Sequence, residues 1–372
     1  MTVSVRKRGD RSAQGTVSLP AAVRVGPASL VLRPAMAAVV VGLAALVFGL
    51  LCVDIAATGD TQLSFGQVLD VLAGGGSRAQ RFIVFESRLP RALTAVVVGA
   101  ALGIAGAITQ SILHNPLAAP DLLGITSGAG FAAVAMLVGT GGAAGGLAAT
   151  VGVPLAACMG GLLTAVLIYL LAWGRNPGSA AGATGLRLVL IGIGVNAVLL
   201  SGISWLLTRA TLQDAARAQL WLTGSLNSAA YPTLIPAAIA LALVAVVAVG
   251  SARTLAALRL GADTTRGLGV RIQTQQALLI GAAVVAAAAA TAAAGPVAFV
   301  GLAGPQIARS LLRTPGEPLI GSALTGAVIV VGADIISRSL FPADLPVGIV
   351  TAAIGGPFLL LLLVQINRKA TL

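Results

Sequence analysis

Long, nearly uninterrupted apolar runs separated by short polar segments organise this chain. Runs such as 35–53, 186–208 and 275–294 approach the roughly 20 residues that carry a helix across a bilayer. None shows the strict alternation of a transmembrane β-strand, which is about 10 residues long. The pattern predicts ten spans, over 35–53, 92–113, 122–140, 147–173, 186–208, 231–250, 275–294, 296–312, 319–341 and 346–365. The third and eighth are marginal, and the eighth is interrupted by Gly295, Pro296, Gly301, Gly304 and Pro305. Such interruptions are tolerated at membrane depth only where protein or a water-filled cavity covers the freed backbone groups. The fold class expected is an all-α polytopic membrane protein. Residues 1–34 are basic, contain Gly and Pro and lack an early apolar region, so they read as a flexible cytoplasmic tail. The membrane domain runs over 35–366, and 367–372 form a second cytoplasmic tail.

Composition supports this. Hydrophobic residues make up 57% and charged residues 9%, against about 25% charged in soluble domains. The 47 glycines suit membrane helices packed through small residues. The net charge of +12 raises nucleic-acid binding, but the basic residues are scattered among loops with no aromatic interleaving, so no nucleic-acid partner is expected. With the N-terminus inside, the inner segments hold sixteen basic and four acidic residues, and the outer side holds seven of each. That asymmetry satisfies the excess of Lys and Arg on cytoplasmic loops and places both termini inside.

Four outer arginines, Arg78, Arg81, Arg88 and Arg91, cluster just before the second span. Taken alone, the cluster fits interfacial anchors that snorkel to lipid headgroups. Catalytic chemistry is sparse. His114 is the one histidine, so neither a metal site nor a Ser/His/Asp arrangement is expected. Cys52 and Cys158 lie in apolar runs and read as core residues. The two lysines, Lys7 and Lys369, are outside any phosphate-cradling loop, so ATP hydrolysis by that route is not expected of this chain. Asp334 falls clearly within a span, with Arg338 four residues on. That spacing predicts a local ion pair rather than a proton relay, which weighs against an ion-coupled secondary transporter. The largest inner loop, 253–273, carries four arginines. A short helix over 254–266, ended by Gly267 or Gly269, would lie on the membrane face as an anchor or dock a cytoplasmic partner.

Against this background the stretch RLPRALTAVVVGAALGIAGAITQSILHNPLAAPDLLGITSGAG (88–130) closely resembles the second-span signature of the FecCD family. WLTGSLN (221–227), LGADTTRGLGV (260–270), GPVAFVGLAGPQIAR (295–309) and 332–363 match further stretches in order. The resemblance implies a type II ABC importer permease fold with ten transmembrane helices in the cell (inner or plasma) membrane. It implies a second permease subunit, either the same chain or a paralogue, and two ATP-binding cassette ATPases. It also implies an extracytoplasmic siderophore-binding lipoprotein or periplasmic binding protein. The cargo implied is a ferric siderophore, with cobalamin or haem as the alternative; no cofactor and no catalytic residue are implied. By the same resemblance Arg88, Arg91 and Arg338 correspond to outer arginines that pair with acids on the binding protein. Leu260, Gly261, Asp263, Leu268 and Gly269 correspond to the ATPase-coupling loop. This chain departs from the family pattern at Ala262, where an acid is usual, at Thr265, where alanine is, at Ala119, where an acid is common, and at Gln306, where histidine is frequent. The fifth span, with Gly192, Gly194 and Asn196, is the candidate pathway lining, although plain helix packing explains those glycines equally well.

Overall fold

A computed structural model describes residues 22–25, 28–31, 34–57, 63–139, 151–174, 182–183, 185–258, 262–267, 269, 271–341 and 344–370. Each predicted apolar run contains a helix. Lacking water to bind their N–H and C=O groups, such runs satisfy the backbone internally. In chain order these helices are α1 (Pro34–Ala57), α2 (Phe65–Leu72), α3 (Arg78–Arg81), α4 (Leu89–Leu113) and α5 (Ile125–Gly139). Then follow α6 (Val153–Ala172), α7 (Gly185–Arg209), α8 (Leu212–Leu222), α9 (Tyr231–Gly250), α10 (Ala252–Leu258) and α11 (Ala262–Gly267). The last are α12 (Ile272–Ala294), α13 (Val300–Leu312), α14 (Leu319–Ser339) and α15 (Val347–Ala370). Among the described residues, eight helices are long and apolar enough to cross a membrane. The two marginal runs give the shorter helices, α5 with 15 residues and α13 with 13.

Three features were absent from the sequence reading. Two small antiparallel pairs form, β1 (Ala22–Val25) with β2 (Ala28–Val31), inside the segment read as a flexible tail, and β3 (Trp173–Gly174) with β4 (Gly182–Ala183). The short helices α2 and α3 open on S-x-x-Q capping boxes, in which Ser64 and Ser77 accept from the backbone of Gln67 and Gln80, whose side chains accept in return. These reciprocal bonds satisfy donors that a helix start leaves open. Between α3 and α4 the chain makes a π-helical turn over Phe82–Arg88. Pro90 explains it: proline has no N–H and its ring crowds the carbonyl four residues back. The Leu89 amide donates instead to Val84 O, five residues back, as in π-bulges.

α4 is the axis of the bundle, packing against α14, α12, α13 and α9. In its span 83% of the apolar window is buried, against 11% for α1. Helices alternate in direction, so the start of α4 lies with the ends of α1 and α14. That group is the Arg91 end. The opposite end holds His114, whose Nε2 lies 3.2 Å from Leu258 O of α10. The same end holds Glu317, which accepts from Ser111 Oγ at 2.9 Å.

Candidate functional site

At the Arg91 end, Arg91, Asp334, Arg338 and Asp54 form a single charged cluster. Arg91 grips Asp334 through Nε (3.0 Å) and Nη2 (2.8 Å), and its Nη1 donates to Asn227 Oδ1 at 2.8 Å. Arg338 Nη2 bridges Asp334, at 2.9 Å, and Asp54. The predicted i,i+4 pair therefore forms, but as one edge of a larger cluster. Arg88 Nη1 donates to Ile55 O (2.7 Å) and Ala56 O (3.1 Å), capping carbonyls that the end of α1 leaves open. The π-turn sets the rotation of Arg88 relative to Arg91, so one arginine reaches α1 and the other α14.

The resemblance placed these three arginines on an outer surface. Arg88 is instead 7% exposed, and the Arg91 and Arg338 side chains 14% and 9%, over an Asp334 of 0%. Burying charge is costly unless it is paired and hydrogen-bonded, and the cluster meets that condition with the chain's own oxygens. Among the described residues, Arg338 Nε alone is a buried side-chain polar atom without a partner. In the sequence Asp54 is one of seven outer acids and Asn227 the last residue of WLTGSLN. Nothing in the spacing joins Asp54 to Arg338, 284 positions apart. Arg81 is also occupied, donating to Gly74 O and Gly75 O of the turn before α3, while Arg78 is exposed.

Beside the cluster lies a cavity of 390 Å³, walled by Arg217 and Trp221 of α8, Asn227, Asp344, and the end of α12 at Ala294–Gly295. Gly224, next in the chain to the lining residue Ser225, has φ +72°, and a Cβ there would sit 2.0 Å from Pro296 O. Only glycine combines that backbone with that approach.

On α7, the three candidate pathway residues do not share a face. Gly192 is buried, and Asn196, one turn on, accepts a hydrogen bond from Ser127 Oγ of α5. Gly194 faces outward beside the exposed Ile193 and Val198 and has nothing within 4 Å of where its Cβ would be.

At the His114 end, the single helix predicted over 254–266 is two helices, α10 and α11. The Thr265 hydroxyl, fully buried, donates to Ala257 O at 2.7 Å and folds one against the other. A residue noted only as a departure from the family pattern thus has a structural use. Asp263 lies in α11, Gly269 is an exposed turn with φ +80°, and Leu260, Gly261 and Leu268 lie outside the described residues.

The buried Gln110 and the half-buried Gln306 form an amide pair that no spacing in the sequence predicts. Gln306 Nε2 donates to Gln110 Oε1 (2.7 Å) and Pro116 O (3.1 Å), and Gln110 Nε2 donates to Leu302 O (3.2 Å). An amide inside an apolar run, as Gln110 is near the end of 92–113, is the available signal. Gln306→Leu should lower stability by about 1–3 kcal/mol, because it strands a buried acceptor. Gln306→His, which keeps a donor, should lose less. Thermal denaturation of the purified protein tests this; equal losses would discount the hydrogen bond.

The profile of the FecCD transport family matches residues 40–365. The ferric enterobactin transport system permease protein FepG of Escherichia coli (strain K12) is 40% identical over 313 residues, 84% of this chain and 91% of that protein. The achromobactin transport system permease protein CbrC of Dickeya dadantii (strain 3937) is 39% identical, covering 82% of this chain and 86% of its own. The hemin transport system permease protein HmuU of Yersinia pestis is 35% identical, covering 75% and 82%. A solved structure assigned to the metal-chelate type of ABC transporter, in an inward-facing conformation, superposes with a TM-score of 0.74 at 26% identity. It covers 89% of this chain and 99% of that one.

Proposed function

From the premise that this chain belongs to the FecCD transport family, and so is a multi-pass inner-membrane ABC permease, we propose that it imports a ferric siderophore. The observation that carries the cargo is its 40% and 39% identity to two siderophore permeases over more than four-fifths of the chain. The haem permease is less similar, at 35%. Ten helices then cross the bilayer, the eight long ones plus α5 and α13, with both termini cytoplasmic. The Arg91 end faces outward to receive the binding protein, and the His114 end faces the ATPases. A second permease subunit completes the pathway, with α7 offering the Gly194 face.

In this mechanism ATP-driven closure of the partner ATPases displaces the α10–α11 segment, including Asp263 and Gly269. The contact of Leu258 O with His114 passes that displacement to the end of α4, the axis of the bundle, and the halves re-pack. Asp334, gripped by two arginines, suits a fixed ion pair and not a proton relay. Proteoliposomes holding the permease, its ATPase and its binding protein should accumulate radiolabelled ferric siderophore. Uptake should cease without the ATPase; uptake that persists, or uptake of haem in place of the siderophore, would overturn this reading.

Docking divides among the arginines by access. Arg91, the most exposed of the three, meets a carboxylate of the binding protein, while Arg88 and Arg338 hold the frame beneath it. Arg91→Lys keeps the charge but removes the planar fork that binds carboxylates in two places. It should weaken binding-protein affinity about tenfold and leave assembly intact. Unchanged affinity, measured by surface plasmon resonance across a salt series, would remove Arg91 from the interface.

A further inference from the structure

His114 is the one histidine of the chain, and both its ring nitrogens face carbonyl oxygens. Nδ1 lies 3.1 Å from Ile112 O, and Nε2 lies 3.2 Å from Leu258 O. Ile112 is the last residue but one of α4, and Leu258 is the last of α10. Carbonyls at such positions have no amide partner within their own helix, and they form the negative end of its dipole. One imidazole therefore stands between the open ends of two helices. The backbone sets it there: His114 caps α4 with φ +50°, a left-handed conformation that histidine adopts more readily than most residues.

Proton count decides what this arrangement can do. A carbonyl oxygen only accepts, and a neutral imidazole carries a single N–H. The neutral ring therefore bonds either Ile112 or Leu258 and turns a lone pair toward the other oxygen. The imidazolium has two N–H groups and bonds both. His114 is exposed, so it exchanges protons with the surrounding water.

The charged groups at this end come from each neighbouring element. Arg309 and Glu317 pair with each other at 3.4 Å, and Asp121 accepts from Thr126. Arg253 lies on α10, Asp263 and Arg266 on α11, and Arg271 at the start of α12. Among the described side chains none of these forms an ion pair with His114. Exposed charges at a distance are screened by salt, so the two carbonyl oxygens in contact with the ring dominate its surroundings.

We propose that His114 in its doubly protonated form is a positioning residue, fastening α10 to α4. Its consequence for transport rests on the proposed function, in which the His114–Leu258 contact carries ATPase-driven displacement to the axis of the bundle. As pH falls through the range where histidine gains its proton, both bonds form and the displacement passes whole. As pH rises, one bond is lost. Losing the Leu258 bond frees α10, and losing the Ile112 bond lets the ring swing. Either loosens the bridge, and ATP is then hydrolysed with less transport.

Siderophore carried per ATP hydrolysed tests this, in proteoliposomes holding the permease, its ATPase and its binding protein. The ATPase side is set to about pH 5.5 or about 7.5, on either side of histidine's ordinary range. The wild-type ratio should be about threefold higher at the lower pH, the worth of one hydrogen bond. His114→Asn suits the left-handed backbone and takes up no proton, so it should hold the low ratio at both. His114→Arg, a permanent cation with several donors, should hold the high ratio at both. A wild-type ratio indifferent to pH, a pH response that survives in His114→Asn, or His114→Arg behaving like His114→Asn would each overturn the assignment. Absence of uptake at both pH values would overturn the transport reading instead, and the ring would still answer. In the full chain carrying isotope-labelled histidine and no histidine tag, both ring N–H protons should be held long enough to appear in nuclear magnetic resonance spectra at the lower pH. Exchange of both with water too rapid for detection would overturn the bridge.

Discussion

Gly106→Val should prevent the protein from accumulating in a folded form. A Cβ at Gly106 would lie 1.7 Å from Gly301 O of α13, and one at Gly103 would lie 2.1 Å from Ser322 O of α14. Gly99 and Gly326 meet reciprocally, at 2.4 and 2.1 Å from each other's carbonyl. Residues 99, 103 and 106 recur at spacings of four and three, so they form one stripe along α4, and backbone rather than side chain lies opposite. Side chains can yield to an added methyl; carbonyls of a packed helix cannot. Each helix would have to move outward, and the whole interface would loosen. Ordinary overpacking costs about 1–3 kcal/mol, and a clash with backbone at the axis of the bundle should exceed that. Gly42→Ala, where nothing lies within 4 Å, should be neutral. Yield of monodisperse protein and its unfolding temperature give the readout. Normal accumulation of Gly106→Val would mean that α4 and α13 are not in contact as described.

Asp334→Ala should be the most damaging change at the charged cluster. It removes the shared carboxylate and leaves Arg91 and Arg338, 14% and 9% exposed, facing each other's charge. Breaking a buried pair from one side costs about 3–5 kcal/mol, chiefly through the charge left behind, whereas replacing the whole set by apolar groups is often neutral. Asp334→Leu combined with Arg91→Met, Arg338→Met and Asp54→Asn, the last so that no buried carboxylate is left without its arginine, should therefore recover much of the lost stability. Added salt should change the wild type little, because buried pairs are poorly screened. Recovery of stability in the combined variant without recovery of binding-protein affinity would separate the structural use of the cluster from docking. A single Asp334→Ala variant as stable as the wild type would show that the cluster is not closed as described.

Much of this was legible in the residues themselves. The apolar runs located the helices, because a membrane helix satisfies its own backbone whatever lies beside it. The two marginal runs became the two short helices, since Gly and Pro at 295–305 shorten α13 by the same local rules. The i,i+4 pair of Asp334 and Arg338 followed from helix geometry alone. Expectation and outcome parted where a residue's role depends on a distant segment. The predicted helix over 254–266 became two because the Thr265 hydroxyl reaches back to Ala257 O. Arg88 and Arg338, expected at a surface, are buried because α1 delivers Asp54 and its last carbonyls to them.

The order of residues is enough to specify a multi-pass helical membrane protein, its charge asymmetry, its family, and the glycine positions that permit close helix contact. These are properties of local composition and of one helix at a time. The tertiary structure alone decided which arginine meets which carboxylate, and which carbonyl stands against each glycine. The reason is physical: lipid satisfies the outer surface of any apolar helix equally well. Pairing among helices is therefore set by shape and by the few polar groups that must find partners inside.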